Sequence, residues 1–221
     1  YLTDWGTPVG QFELTGGGAA TLEVYRSGAA WKVGRMATGI TAGGVVNAAT
    51  FTGAIAPGGI VTIFGAGLSP NPAVTVGGVA AQVLAAYPFQ VNAVVPQTAA
   101  AGAATVTVAT GTGTASADVT ISAVAPALFT LSDTQGAVVN ADGTVNPGAN
   151  PARRGTVVLA FGTGVGAATG DGTVARTAAA VTGRVGGISV PIVFAGLAPG
   201  FPGLYQLNVS LPAGMAPGLA L

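Results

Sequence analysis

Ile63-Phe64-Gly65-Ala66-Gly67-Leu68 returns about a hundred residues later as Ala160-Phe161-Gly162-Thr163-Gly164-Val165. Reading outward from that pair, Val76-Gly77-Gly78-Val79 returns as Val185-Gly186-Gly187-Ile188, and Gln90-Val91-Asn92 as Gln206-Leu207-Asn208. Pro96 and Gly102 return as Pro212 and Gly218, so that the last three landmarks share one offset of 116. A self-similar chain is built from repeated structural units, and the repeat outranks any single motif as a guide to architecture. The two copies differ at one end. After Gly102 the first continues in the same style through Ser122, whereas only Leu219-Ala220-Leu221 follow Gly218. The second copy is therefore expected to lack its last strands.

Composition narrows the possible functions. A chain of 221 residues with 50% hydrophobic content has room for two cores in domains of roughly 85–100 residues. Its 37 glycines and 14 prolines punctuate Val/Ile/Thr runs, which is the pattern of short strands and tight turns. Charged residues are only 6% and the net charge is +0, so no basic face exists to hold phosphates and nucleic-acid binding is excluded. An anionic membrane surface has nothing to attract it either. Cysteine is absent, which removes any disulfide framework. No uninterrupted apolar run reaches the roughly eighteen residues of a membrane-spanning helix. The chain opens at Tyr1, the expectation for a processed, mature protein.

Residues 1–38 match neither copy. Thr21-Leu22-Glu23-Val24-Tyr25-Arg26 and Ala30-Trp31-Lys32-Val33-Gly34-Arg35-Met36 alternate apolar with polar residues, separated by Ser27-Gly28-Ala29. That pattern predicts a β-hairpin. In the first copy, strands are predicted near 45–51, 60–64, 73–76, 80–86, 90–95, 104–109 and 115–122. Seven short strands with a turn about every ten residues suggest an immunoglobulin-like sandwich. The second copy predicts strands near 157–161, 181–185, 188–194 and 204–210, with fainter pairing around 137–145. No window has helical periodicity. The predicted fold is all-β: a hairpin arm over residues 1–40, one immunoglobulin-like domain over 41–123, and a second over 124–221 without its last strands.

Several stretches resemble a known family. "APGGIVTIFGAGLSP", "VTVGGVAAQV", "FQVNAVVP", "VNADGTVNPGANPARRGTVVLAFGTGVG" and "FAGLAPGFPGLYQLNVSLPAG" are similar to the uncharacterised C-terminal domain family first named from Solibacter, found at the ends of large secreted acidobacterial proteins. The resemblance covers about residues 44–221. It implies IPT/TIG-like immunoglobulin folds and an extracellular or cell-surface address, and it brings no activity. In that family the pattern runs on past the position of Leu221 into another Val/Thr-rich strand.

The residues offer little chemistry. Histidine is absent, so the commonest general base and metal ligand is missing. The single lysine, Lys32, lies in the arm. The acids Asp4, Glu13, Glu23, Asp118, Asp133, Asp142 and Asp171 are scattered, unlike the facing carboxylates of a glycosidase. Gly162-Thr163-Gly164-Val165-Gly166 is not followed by a helix start, which a phosphate-cradling loop requires. No catalytic site and no cofactor are predicted. Asn140, Asp142 and Asn146 place side-chain oxygens at alternating positions around Gly143, a weak imitation of a calcium loop without the distal carboxylate. Asp142-Gly143 is equally a hairpin-turn dipeptide. Pro199-Gly200-Phe201-Pro202-Gly203-Leu204-Tyr205 is an aromatic loop. Phe201 and Tyr205 either close one end of the sandwich or present a contact surface to sugar or to another subunit.

These readings converge on a non-catalytic structural subunit that partners copies of itself. Leu22, Val24, Tyr25, Trp31 and Val33 of the arm are expected, with Phe201 and Tyr205, to form the interface. The arm of one molecule would complete the second sandwich of the next, giving a head-to-tail homopolymer. Alternatively, the chain given stops short of a strand pair, and residues 1–38 are the remnant of a preceding domain. A rival function is an adhesion or polysaccharide-binding module of a larger secreted protein.

Overall fold

A computed structural model describes residues 8–13, 21–27, 30–35, 37–170, 174–216 and 218. The chain is all-β, with no helix among the described residues. At the N-terminal end β1 (Pro8–Glu13), β2 (Thr21–Ser27) and β3 (Ala30–Arg35) form an antiparallel sheet in the order β1-β2-β3. The predicted hairpin is thus β2–β3, with Val24 opposite Val33 and Arg26 opposite Trp31. Sequence pattern missed β1, because a proline and a glycine weaken its strand signal. The irregularity they cause appears as a register shift between Pro8 and Gly10.

The first repeat supplies β4 (Gly39–Asn47), β5 (Ile60–Ala66), β6 (Ala73–Val76), β7 (Val79–Tyr87), β8 (Gln90–Val94), β9 (Gly102–Thr110) and β10 (Gly113–Ile121). Their order is β10-β9-β6-β7-β8-β5-β4, and six of the seven lie where the sequence placed them. The exception is β4, which ends at Asn47 rather than running to 51. There the Asn47 side-chain oxygen accepts the Ala49 N–H at 2.9 Å and its carbonyl accepts the Phe51 N–H at 2.8 Å. An asparagine that bonds its own backbone two residues on starts a turn.

The second repeat contains β11 (Ala127–Leu128), β12 (Thr130–Ser132), β13 (Gln135–Gly136), β14 (Val138–Val139), β15 (Val157–Thr163), β16 (Ala168–Gly170), β17 (Ala175–Thr177), β18 (Gly183–Val185), β19 (Ile188–Val190), β20 (Ile192–Leu197) and β21 (Tyr205–Ser210). The main sheet runs β11-β15-β21-β20-β17-β16, with β14 also on β15, while β12-β13 and β18-β19 are separate two-stranded sheets. Strands β11, β12, β13, β16 and β17 fall outside the predicted ranges. Their lengths of two or three residues are too short to show a period.

The chain clusters into two compact units. One comprises Tyr1–Val45, Thr62–Ala93 and Ala103–Val119; the other comprises Val46–Val61, Val94–Gly102 and Thr120–Leu221. The first unit buries Ile63, Leu68, Val74, Val76, Val91, Val106 and Val108. Alternate residues of β6 and β9 point into this core, the period expected of a strand with one dry face. The second unit buries Ile55, Val61, Val95, Ile121, Val165 and Tyr205 together with a cluster of Val158, Val190 and Val209.

The structure divides the glycines of the two Phe-Gly-x-Gly stretches between two roles. Gly65 and Gly162 lie inside strands β5 and β15. A Cβ on either would overlap a backbone carbonyl oxygen, that of Gly39 or of Ala127, so glycine is required there by close approach of two backbones. Gly67 and Gly164 do have positive φ, 59° and 74°.

Candidate functional site

Among the described residues the second repeat presents an open sheet edge, which is clearest beside its counterpart. In the first repeat, Val76 pairs with Val79 across Gly77 and Gly78, whose φ angles are 58° and 81°. In the second, Val185 pairs with Ile188 across Gly186 and Gly187, with φ of 56° and 77°. Two residues of positive φ make the two-residue turn whose twist suits a hairpin. The hairpins are copies, yet their surroundings differ. Strand β6 has a second neighbour, β9, with Val74 opposite Val108, Thr75 opposite Thr107 and Val76 opposite Val106. Among the described residues β18 pairs with β19 alone, through Gly183 and Val190, Arg184 and Ser189, and Val185 and Ile188. Pro191 interrupts the run between β19 and β20; having no N–H, it cannot continue a ladder. The nine-residue β7 crosses the same position unbroken.

The aromatic loop separates its two rings. The Ala198 and Leu204 N–H groups donate to the carbonyls of Leu204 and Phe201, and the Phe201 N–H donates back to Ala198, at 2.8–3.2 Å. This double turn holds Phe201 at its tip, 64% exposed. Tyr205 is fully buried instead, as in the first of the two alternatives the sequence offered for it. Its hydroxyl donates to the Gly166 carbonyl. The Gln97 amide nitrogen lies 3.5 Å from the same hydroxyl, and the Gln97 amide oxygen accepts the Ala168 N–H at 2.8 Å. Burial pushes the Tyr205 phenol up from its ordinary value, against a smaller opposing effect of Gln97. Buried Thr163 joins the same region: its hydroxyl donates to the Gly203 carbonyl at 3.0 Å and accepts the Ile60 N–H at 2.7 Å. Repeat-one residues 60 and 97 thus meet repeat-two residues inside the second unit. Sequence reasoning missed Thr163 and Gln97, because nothing in either's neighbourhood marks a partner so distant in the chain.

The imitation calcium loop is a closed hydrogen-bond network. Asn140 is buried; its side-chain oxygen accepts from the Asn146 amide at 2.7 Å and its nitrogen donates to the Asn150 carbonyl at 3.1 Å. Asp142 accepts the Thr144 hydroxyl at 2.6 Å and the Thr144 N–H at 3.0 Å. Those two bonds, the hydroxyl first, hold its carboxyl below the usual value. Asn140 Oδ1 and Asp142 Oδ1 are thus engaged in shaping the turn. Among the described residues, no group of three His, Cys, Asp or Glu comes together as a metal site.

The arm residues Leu22, Val24, Tyr25, Trp31 and Val33 lie in β2 and β3, but their side chains lie outside the described residues, as do Asp4 and Asp171. Asp118 accepts the Thr105 hydroxyl at 3.0 Å on an exposed face.

Residues 45–123 match the IPT/TIG domain. That segment carries β5–β10 and the end of β4, so the immunoglobulin-like reading of the first repeat stands on sequence as well as on fold. No curated protein matches the chain. Among solved structures the chain is similar to the full extracellular region of plexin A4, domains 1 to 10, at 12% identity and a TM-score of 0.34, covering 90% of this chain and 15% of that one. It is also similar to the I9–I11 tandem from titin, at 9% identity and a TM-score of 0.27, covering 87% of this chain and 64% of that one.

Proposed function

We propose that the protein is a non-catalytic structural subunit of an extracellular or cell-surface assembly, joining copies of itself by strand addition. The observation that carries this reading is the difference between β6 and β18: among the described residues the same hairpin is flanked by a third strand in one repeat and has a bare edge in the other. A row of unpaired N–H and C=O groups beside apolar side chains is a template for another strand. A patch on one molecule that accepts a different patch on the next makes a head-to-tail contact, which propagates. The extracellular address rests on the resemblance to the secreted Solibacter-type family. Few charges weaken repulsion between copies, and the lack of histidine and cysteine leaves little for catalysis to use.

The test is light scattering and negative-stain microscopy of the full chain and of a form lacking residues 1–38. Large species that vanish on deletion, and return with a peptide of residues 19–38, support the reading. A full chain that stays monomeric at high concentration overturns it.

One observation favours a second reading, a polysaccharide-binding module. Phe201 stands exposed at the tip of a turn-locked loop, and an aromatic ring so held can stack on a sugar. A monomeric protein retained on a glycan column, with retention lost in Phe201→Ala, would select this reading.

A further inference from the structure

We propose that the β18 edge takes strand β2 of a second copy in antiparallel register, with Glu23 of the incoming strand opposite Arg184. The inference rests on the self-association proposed above and names its partner and register. The first repeat supplies the template. There β9 and β10 form a hairpin about a two-residue connection at 111 and 112, and β9 lies antiparallel on β6. Strands β2 and β3 are likewise antiparallel about a two-residue connection at 28 and 29. The β6–β9 pairing puts β-branched apolar residues inward at Val106 and Val108 and a small polar one outward at Thr107, opposite Thr75. Arg184 holds the place of Thr75 in β18 and is exposed, whereas Val185 holds the place of Val76. The strand that fits must therefore be apolar, acidic, apolar. Leu22-Glu23-Val24 is that pattern, and it puts Leu22 opposite Val185, Glu23 opposite Arg184 and Val24 opposite Gly183. In a chain with only seven acidic and seven basic residues, a matched pair at the one outward position is strong complementarity. Opposite charges across a strand pair attract, and like charges there repel.

β2 has β1 on one side and β3 on the other, while β18 has β19 alone among the described residues. Since β3 already plays the part of β10, the β2 edge that would meet β18 is the one that β1 covers. β1 is thus a cover strand, exchanged for β18 of the neighbour on assembly. It is suited to leave, because its register shifts between Pro8 and Gly10 and a proline contributes no N–H to the ladder.

The experiment measures self-association of the full chain by sedimentation velocity for four proteins: wild type, Arg184→Glu, Glu23→Arg and the double reversal. Each single reversal should weaken association by about 10-fold, the double should recover most of it, and both effects should shrink in high salt. A fifth protein, lacking residues 1–13, should assemble faster than wild type. An edge arginine is also a common guard against unwanted pairing; association that is unchanged or stronger in Arg184→Glu would make it such a guard and overturn the inference. Single reversals that weaken association without rescue by the double overturn the register. Assembly lost on removal of residues 1–13 overturns the role of β1. A monomeric wild type instead removes the underlying proposal of self-association, and an assembling wild type indifferent to all these changes removes only this inference.

Discussion

Val76 and Val185 occupy one position in two copies of the same hairpin, and their surroundings part them. Val76 is fully buried, as are Val106 and Val108 across the ladder from β6. Val185 is only partly buried, packed beside the small cluster of Val158, Val190 and Val209. Backbone conformation is shared down to the φ values of the glycine pair, so the turn geometry is not what differs. The neighbouring strand is. A strand buries its dry face only as far as adjacent strands extend the layer above it, and among the described residues β18 has one such neighbour where β6 has two. The aromatic positions invert the pattern. Phe89 and Tyr205 stand just before the matching Gln-x-Asn landmarks, but Phe89 is 41% exposed and Tyr205 is buried. The first repeat buries Val74, Val76, Val106 and Val108 at the β6–β9 face, whereas the second buries Tyr205 at the Gln97–Gly166 end.

The sharpest way to break this comparison is at the aromatic pair. Tyr205→Ala should cost about 4 kcal/mol in chemical denaturation, the loss typical of a large ring removed from a packed site. Phe89→Ala should cost about 1 kcal/mol or less. Equal losses would mean that the repeats are packed alike at this position.

The hairpin pair comes next. Val76→Ala should destabilise by about 2 kcal/mol and Val185→Ala by about half that, because less apolar area returns to water. Measured in an assembled form, the gap should close, since an added strand would bury Val185 as β9 buries Val76.

A smaller effect is expected in alkali. The folded Tyr205 phenol lies above its ordinary value, chiefly through burial. Its contribution to stability is complete below the unfolded phenol's value of about 10 and is lost as pH rises through the folded value. The melting temperature should therefore fall above about pH 10, less steeply in Tyr205→Phe than in wild type. The exposed Phe89 offers the first repeat no equivalent.

The smallest effect is at the Asn140–Asn146 turn. Asp142 is held low by Thr144, so its stabilising contribution is present above the ordinary carboxylate range and lost as pH falls through the folded value. Asp142→Asn should lower the melting temperature slightly at neutral pH and leave it unchanged at low pH. Millimolar calcium should not shift it in either protein. A calcium-dependent rise would restore the metal reading that the hydrogen-bond network argues against.

What the sequence by itself determined is what acts over a few residues. Alternation in Ala104–Ala109 and the Gly-Gly pairs at 77–78 and 186–187 are enough to place strands and turns, because side-chain period and positive φ are local properties. The repeat itself is a comparison of such local signals. Partners that meet from afar were decided by the tertiary structure. Phe201 and Tyr205 are alike in a loop of the same composition, yet one is exposed and the other buried, because Gln97 reaches Tyr205 across 108 residues of sequence. Gly65 and Gly162 look like turn glycines, yet they lie inside strands, where another backbone passes too close for a Cβ. Burial and close approach depend on what lies across the fold, and no short window of sequence contains its own neighbours.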